Sequence, residues 1–111
     1  MRVRRGLLSV GKHTTLGRPV RGAEEKVERI MNILQHESLG GYQWREYWQM
    51  FKRYGRGEPD FYGRRLMDLE LQKKARYVAR VCNHARTSKS LPSGRQWGHL
   101  RSAMLSIFQP L

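Results

Sequence analysis

Apolar residues along this chain recur three and four positions apart, and no alternation of period two is sustained, so the pattern predicts helices. Val27, Ile30, Met31 and Leu34 share one face of a first helix over residues 23–36. Glu24 and Glu25 stand in its first turn, where the helix dipole favours negative charge. Gly40 and Gly41 end it and permit a tight antiparallel reversal. A second helix over residues 42–54 carries Trp44, Tyr47, Trp48 and Phe51 in one aromatic stripe. That stripe is either a platform for stacked bases or, as helical stripes usually are, a buried face packed on Val27, Ile30 and Leu34. Its polar edge, with Lys52 and Arg53, can reach phosphate in either case.

Residues 55–60, Gly-Arg-Gly-Glu-Pro-Asp, read as a turn; the lone Gly-x-Gly lacks the further glycine of a dinucleotide fingerprint. A third and longest helix is expected over residues 61–85, with unequal faces. Tyr62, Leu66 and Leu69 share one face in its first half, and Leu71, Ala75, Val78, Cys82 and Ala85 the nearly opposite face in its second. Such a helix either kinks near Leu71 or packs its two halves on different groups, and the second arrangement is expected. It would turn Lys73, Arg76, Arg80 and His84 outward as a basic stripe over about three turns. Residues 86–94 form a basic loop containing Arg86 and Lys89. A last helix over residues 95–108, capped by Ser93, aligns Trp97, Leu100, Met104, Ile107 and Phe108. That face docks on the central domain or on another protein.

The fold class that follows is all-α: a small helical domain of about four helices, with an extended basic N-terminal arm and a basic C-terminal region. The expected division is an arm over residues 1–22 and one helical domain over residues 23–111. A length of 111 residues suits a single domain with a modest core. Hydrophobic residues make up 39%, below the roughly 45–50% usual for globular domains, so part of the chain is expected to lie on something else. Three Trp, five Tyr and three Phe argue that the centre folds.

Charge sharpens this picture. Residues 1–21 hold Arg2, Arg4, Arg5, Lys12, Arg18 and Arg21 and no acid; residues 22–70 hold all nine carboxylates against eight bases. Beyond Glu70 there is no carboxylate, while Lys73, Lys74, Arg76, Arg80, Arg86, Lys89, Arg95 and Arg101 follow. Two acid-free segments around a near-neutral centre repel themselves, which is a surface suited to a polyanion. The first segment, interrupted by Gly6, Gly11, Gly17 and Pro19, fits an uncleaved mitochondrial targeting sequence or an extended arm that binds nucleic acid. The candidate RNA-binding residues are therefore Arg2, Arg4, Arg5, Lys12, Arg18, Arg21, Lys73, Arg76, Arg80, His84, Arg86, Lys89, Arg95 and Arg101.

Signs of catalysis are sparse. His13, His36, His84 and His99 are scattered without a partner carboxylate at a suggestive spacing. Cys82 and His84 form a Cys-x-His pair, but no second cysteine exists for a zinc site. Cys82 lies on an apolar stripe with Val78 and Val81 and reads as a small buried hydrophobe. No Walker loop, Gly-x-Ser-x-Gly or His-Glu-x-x-His occurs. The expectation is a non-enzyme with no cofactor, no metal, no small-molecule substrate and no transmembrane segment.

A small, acid-poor, helical chain with basic ends resembles a ribosomal protein. The run Gly11-Lys12-His13, followed by Arg18-Pro19 and a charged helix, is similar to the amino-terminal arm of a short large-subunit member of the mitochondrion-specific ribosomal proteins. The resemblance implies a structural constituent of a ribosome in the mitochondrial matrix, its basic segments on rRNA. It also implies that the aromatic centre (Trp44, Tyr47, Trp48 and Phe51) and the last helix (Trp97, Met104 and Phe108) contact neighbouring proteins. The competing expectation is a matrix-facing accessory subunit of a respiratory-chain complex, although the Leu-Tyr-Arg motif of one such helical family is absent. A free DNA-binding protein fits less well, because only the Gly40-Gly41 junction could serve a helix-turn-helix and it adjoins an aromatic stripe. A membrane-surface role is weak too: the helix with Trp97 and Phe108 has only Arg95 and Arg101 for anionic lipid.

Overall fold

Local signals explain where each helix begins and ends. The structure, a computed structural model, describes residues 22–109 and contains α1 (Ala23–His36), α2 (Tyr42–Gly55), α3 (Leu69–Ser88) and α4 (Gly94–Phe108), with no strand among the described residues. The arm residues Arg2, Arg4, Arg5, Lys12, Arg18 and Arg21 lie outside them.

α1 starts after Gly22, which adopts the left-handed conformation (φ 65°), and runs to an extended Glu37. Val27, Ile30 and Leu34 are fully buried, as the periodicity requires. The reversal into α2 is closed by Gly41 N–H donating to the Ser38 carbonyl at 2.9 Å. α2 packs chiefly on α3, α3 on α4, and α4 on α1. The four apolar faces meet in one core.

The expected helix over residues 61–85 is corrected at its start. α3 begins at Leu69, where the Asp68 side chain accepts from the backbone N–H groups of Glu70 and Leu71 at 2.8 and 3.1 Å. Upstream the backbone closes a turn in place of a helix: the Asp60 N–H donates forward to the Arg64 carbonyl at 2.8 Å, and Asp60 Oδ1 braces the turn by accepting from the N–H groups of Tyr62 and Arg64, both at 2.9 Å. Gly63 sits at φ 88°, which a continuous helix cannot contain. Of the supposed stripe Tyr62, Leu66 and Leu69, only Leu66 is buried; Tyr62 is 88% and Leu69 72% exposed. Neither a kink nor two-sided packing is needed, because the two faces belong to a loop and to a helix.

That loop, residues 56–68, is tied to the core at several points. Tyr54 Oη donates to Asp60 Oδ2 at 2.6 Å, Gln72 Nε2 donates to the Leu66 carbonyl at 2.9 Å, and Arg64 Nη2 donates to the Ile107 carbonyl at 2.6 Å. The last bond satisfies a carbonyl in the final turn of α4. The Arg64 guanidinium stands 5.6 Å from the ring centroids of both Tyr54 and Phe108. Those rings and Phe51 meet edge to face, with centroids 6.1 to 6.3 Å apart. Each such pair adds about 0.5–1.5 kcal/mol beyond its area of burial, so the loop is anchored on an aromatic cluster of the core.

α4 begins as the sequence predicts. Ser93 and Gln96 form a reciprocal capping box, and Leu100, Met104, Ile107 and Phe108 are fully buried against this chain's own helices. Of the two docking partners expected for that face, the central domain is the one observed. No helix among the described residues is long and apolar enough to cross a membrane.

Candidate nucleic-acid interface

The interior face of α3 is made of Leu71, Ala75, Val78, Ala79, Cys82 and Ala85, mostly small residues that let the helix lie close to its neighbours. Burial of that face turns Lys73, Arg76, Arg80 and His84 outward, and all four are exposed. From Lys73 to His84 the helix rises about 16 Å, long enough to pass several phosphates of one strand.

The four are not equivalent. Lys73 Nζ pairs with Glu70 at 3.4 Å, so the stripe meets an acid at its first turn. Arg76 Nη1 donates to the Gly55 carbonyl at 2.6 Å, which commits one edge of its guanidinium to α2. Arg80 and His84 make no side-chain hydrogen bond or ion pair among the described residues. These two lie in an open groove of about 420 Å³, lined also by Tyr77, Val81, Asn83, Thr87 and Gln96. Tyr77 and Val81, half-buried beside the core, make its apolar floor. Charged and amide groups on its rim offer donors to an anion, and the Tyr77 ring offers a surface to a sugar or base.

Arg86 supports this groove without facing it freely. Its guanidinium lies 4.6 Å from the centroid of Trp48 on α2, and its Nη2 donates to Asn83 Oδ1 at 3.0 Å. Taking up the Asn83 oxygen leaves the amide NH2 for the groove. Lys52 Nζ also stands over the Trp48 indole, at 4.3 Å. The indole therefore has cations where a base would stack.

Other candidate residues are dispersed. Arg101 Nε pairs with Glu28 Oε2 at 2.6 Å and links α4 to α1. Lys89, in the left-handed C-cap of α3, and Arg95, in the first turn of α4, are exposed on the connection between the two helices that line the groove. Trp44, Phe51, Met104 and Phe108, expected to contact neighbouring proteins, are at most 1% exposed and have no surface left for one. Tyr47, Trp48 and Trp97 are half-buried and keep an outer edge.

Groove residues beyond the charged ones escape sequence reasoning. Tyr77, Val81 and His84 form an i, i+4, i+7 set that could have been read as a flank of the basic stripe. Gln96 reaches the groove only because α4 packs on α3. Cys82 is buried, and burial pushes its thiol up to about 12, so it stays protonated and unreactive at neutral pH. No group of three or more His, Cys, Asp or Glu residues among the described ones could hold a metal ion. No protein-family model matches the chain, and neither a curated protein nor a solved structure is similar to it.

Proposed function

We propose that this chain is a structural, RNA-binding component of a ribosome, that of the mitochondrial matrix by the character of its first segment, and not a catalyst. The observation that carries this reading is the groove at the end of α3. There Arg80 and His84 stand exposed, unpaired with any described acid, in the half of the chain that has no carboxylate. A cation held at a surface without a counter-charge is suited to a polyanion, and release of condensed counterions from RNA would supply the driving force. The basic first segment adds charge of the same sign. In this reading Arg80, His84, Lys89 and Arg95 meet rRNA phosphates, Lys73 and Arg76 extend the track, and half-buried Tyr47, Trp48 and Trp97 face neighbouring proteins.

The test is sedimentation of the tagged chain from native mitochondrial lysate, with and without ribonuclease. Co-migration with a ribosomal subunit, lost after nuclease treatment, is expected. Nuclease-resistant migration with a respiratory-chain complex would instead make the chain an accessory subunit of that complex.

A further inference from the structure

We infer that Phe61 and Tyr62 form a fixed prong that stacks on unpaired bases of the bound RNA, an inference that rests on the RNA-binding reading. Phe61 is 93% and Tyr62 88% exposed, the two most exposed large apolar side chains among the described residues. Their rings sit edge to face, 5.3 Å apart, at the tip of the loop between α2 and α3. Two adjacent aromatics left in water need an explanation, and a compliant loop is not one. Asp60 holds the Tyr62 and Arg64 N–H groups, Tyr54 holds Asp60 from within the core, and Asp60 N–H donates to the Arg64 carbonyl at 2.8 Å. The rings are thus presented by an ordered backbone, which lowers the entropic cost of binding through them.

Charge around the prong indicates what it meets. Arg53 Nη1 donates to the Pro59 carbonyl and Arg65 Nε to the Gly57 carbonyl, each at 3.2 Å, while Arg56 pairs with Glu58. All three arginines are exposed, and each holds the loop through part of a guanidinium that carries five N–H donors. The arginines thus sit on the same loop as the rings or hydrogen-bonded to it, with donors to spare. The three carboxylates of the loop are already engaged, Glu58 by Arg56, Asp60 by Tyr54 and two backbone N–H groups, and Asp68 by the first-turn N–H groups of α3. Exposed aromatic faces on a loop held by exposed arginines, with no uncommitted acid in it, suit a strand whose bases stack while its phosphates lie against arginine. A protein pocket would have to supply carboxylates to these cations as well as an apolar slot.

Binding of the full chain to two labelled RNAs by fluorescence anisotropy tests this. One is a hairpin with an unpaired loop, the other a fully paired duplex. The Phe61→Ala/Tyr62→Ala variant should bind the hairpin about tenfold more weakly or worse, with duplex affinity unchanged. Phe61→Trp should retain hairpin binding. Both positions are exposed, so an unchanged circular dichroism spectrum is expected and checks the fold. Undiminished hairpin binding by the double-alanine variant, or an equal loss on both RNAs, overturns the prong while leaving the RNA-binding reading intact. Failure of the wild-type chain to bind either RNA removes that reading and the prong with it. Loss of binding to phosphatidylserine vesicles, with hairpin affinity unchanged, would reassign the rings to a lipid surface.

Discussion

The Gly55 carbonyl accepts a hydrogen bond from Arg76 at 2.6 Å, and a Cβ on Gly55 would stand 2.5 Å from Arg76 Cγ and 3.2 Å from the Arg76 nitrogen. The last residue of α2 therefore rests on the backbone of α3 without room for a side chain. Gly55→Ala, which on helix propensity alone should stabilise by about 0.5–1 kcal/mol, is expected to destabilise by about 1–3 kcal/mol. The midpoint of urea unfolding measures this, and a stabilised variant would show that the helices can separate at no cost.

Tyr54 ties the loop to the core. Burial, and then the hydrogen bond to Asp60, raise its hydroxyl pKa well above the ordinary 10.0. Tyr54→Phe is expected to cost about 1–2 kcal/mol near neutral pH, because Asp60 loses a partly buried donor. The raised folded-state value also predicts alkaline sensitivity. Stability is fully present below pH 10, where the unfolded tyrosine keeps its proton, and is lost as pH rises beyond it. The buried Cys82 thiol, raised from 9.0 to about 12, acts in the same direction from pH 9 upward. Thermal melts between pH 8 and pH 11 should show wild-type Tm falling more steeply than that of a Tyr54→Phe/Cys82→Ala variant, a pH range set by these ordinary and raised values.

Asp68 decides where α3 begins. Asp68→Ala should cost about 1 kcal/mol, and Asp68→Asn or Asp68→Ser much less, since those side chains also accept from the first turn. Chemical denaturation of the three variants provides the comparison. Equal losses in all three would show that Asp68 acts through charge alone.

Two arginines from the acid-free half should behave in opposite ways. Arg80→Gln removes an exposed cation without a described partner, so stability should stay within about 0.5 kcal/mol, while the log–log salt slope of RNA binding falls by about one. Arg101→Gln breaks the pair with Glu28 and should lower stability by no more than about 1 kcal/mol, less at high salt, with the RNA salt slope unchanged. Isothermal denaturation together with RNA titration at several salt concentrations separates the two.

Periodicity and capping are local properties, and where they act together the chain could be read directly. Val27, Ile30 and Leu34 marked the buried face of α1 and Ser93 the start of α4, because a helix needs only its own apolar spacing and terminal partners to be recognised; the tandem Gly40-Gly41 marked the reversal before α2, while α1 itself ends earlier, at His36. Residues 61–68 misled for a related reason. Tyr62, Leu66 and Leu69 have helical spacing, but Gly63 adopts φ 88°, the Arg64 carbonyl accepts from the Asp60 N–H, which lies behind it in the chain, and Tyr54 from the core holds Asp60 in place. Asp68 before Leu69 was a legible cap that the longer stripe concealed. Charge could be counted along the chain, yet its disposition could not. Arg101 finds Glu28 across 73 positions, Arg76 finds Gly55 across 21, and Arg86 lies over Trp48, while Arg80 and His84 remain in the groove. Which cations are held and which stay available depends on distances set by helix packing, and those distances have no one-dimensional signature.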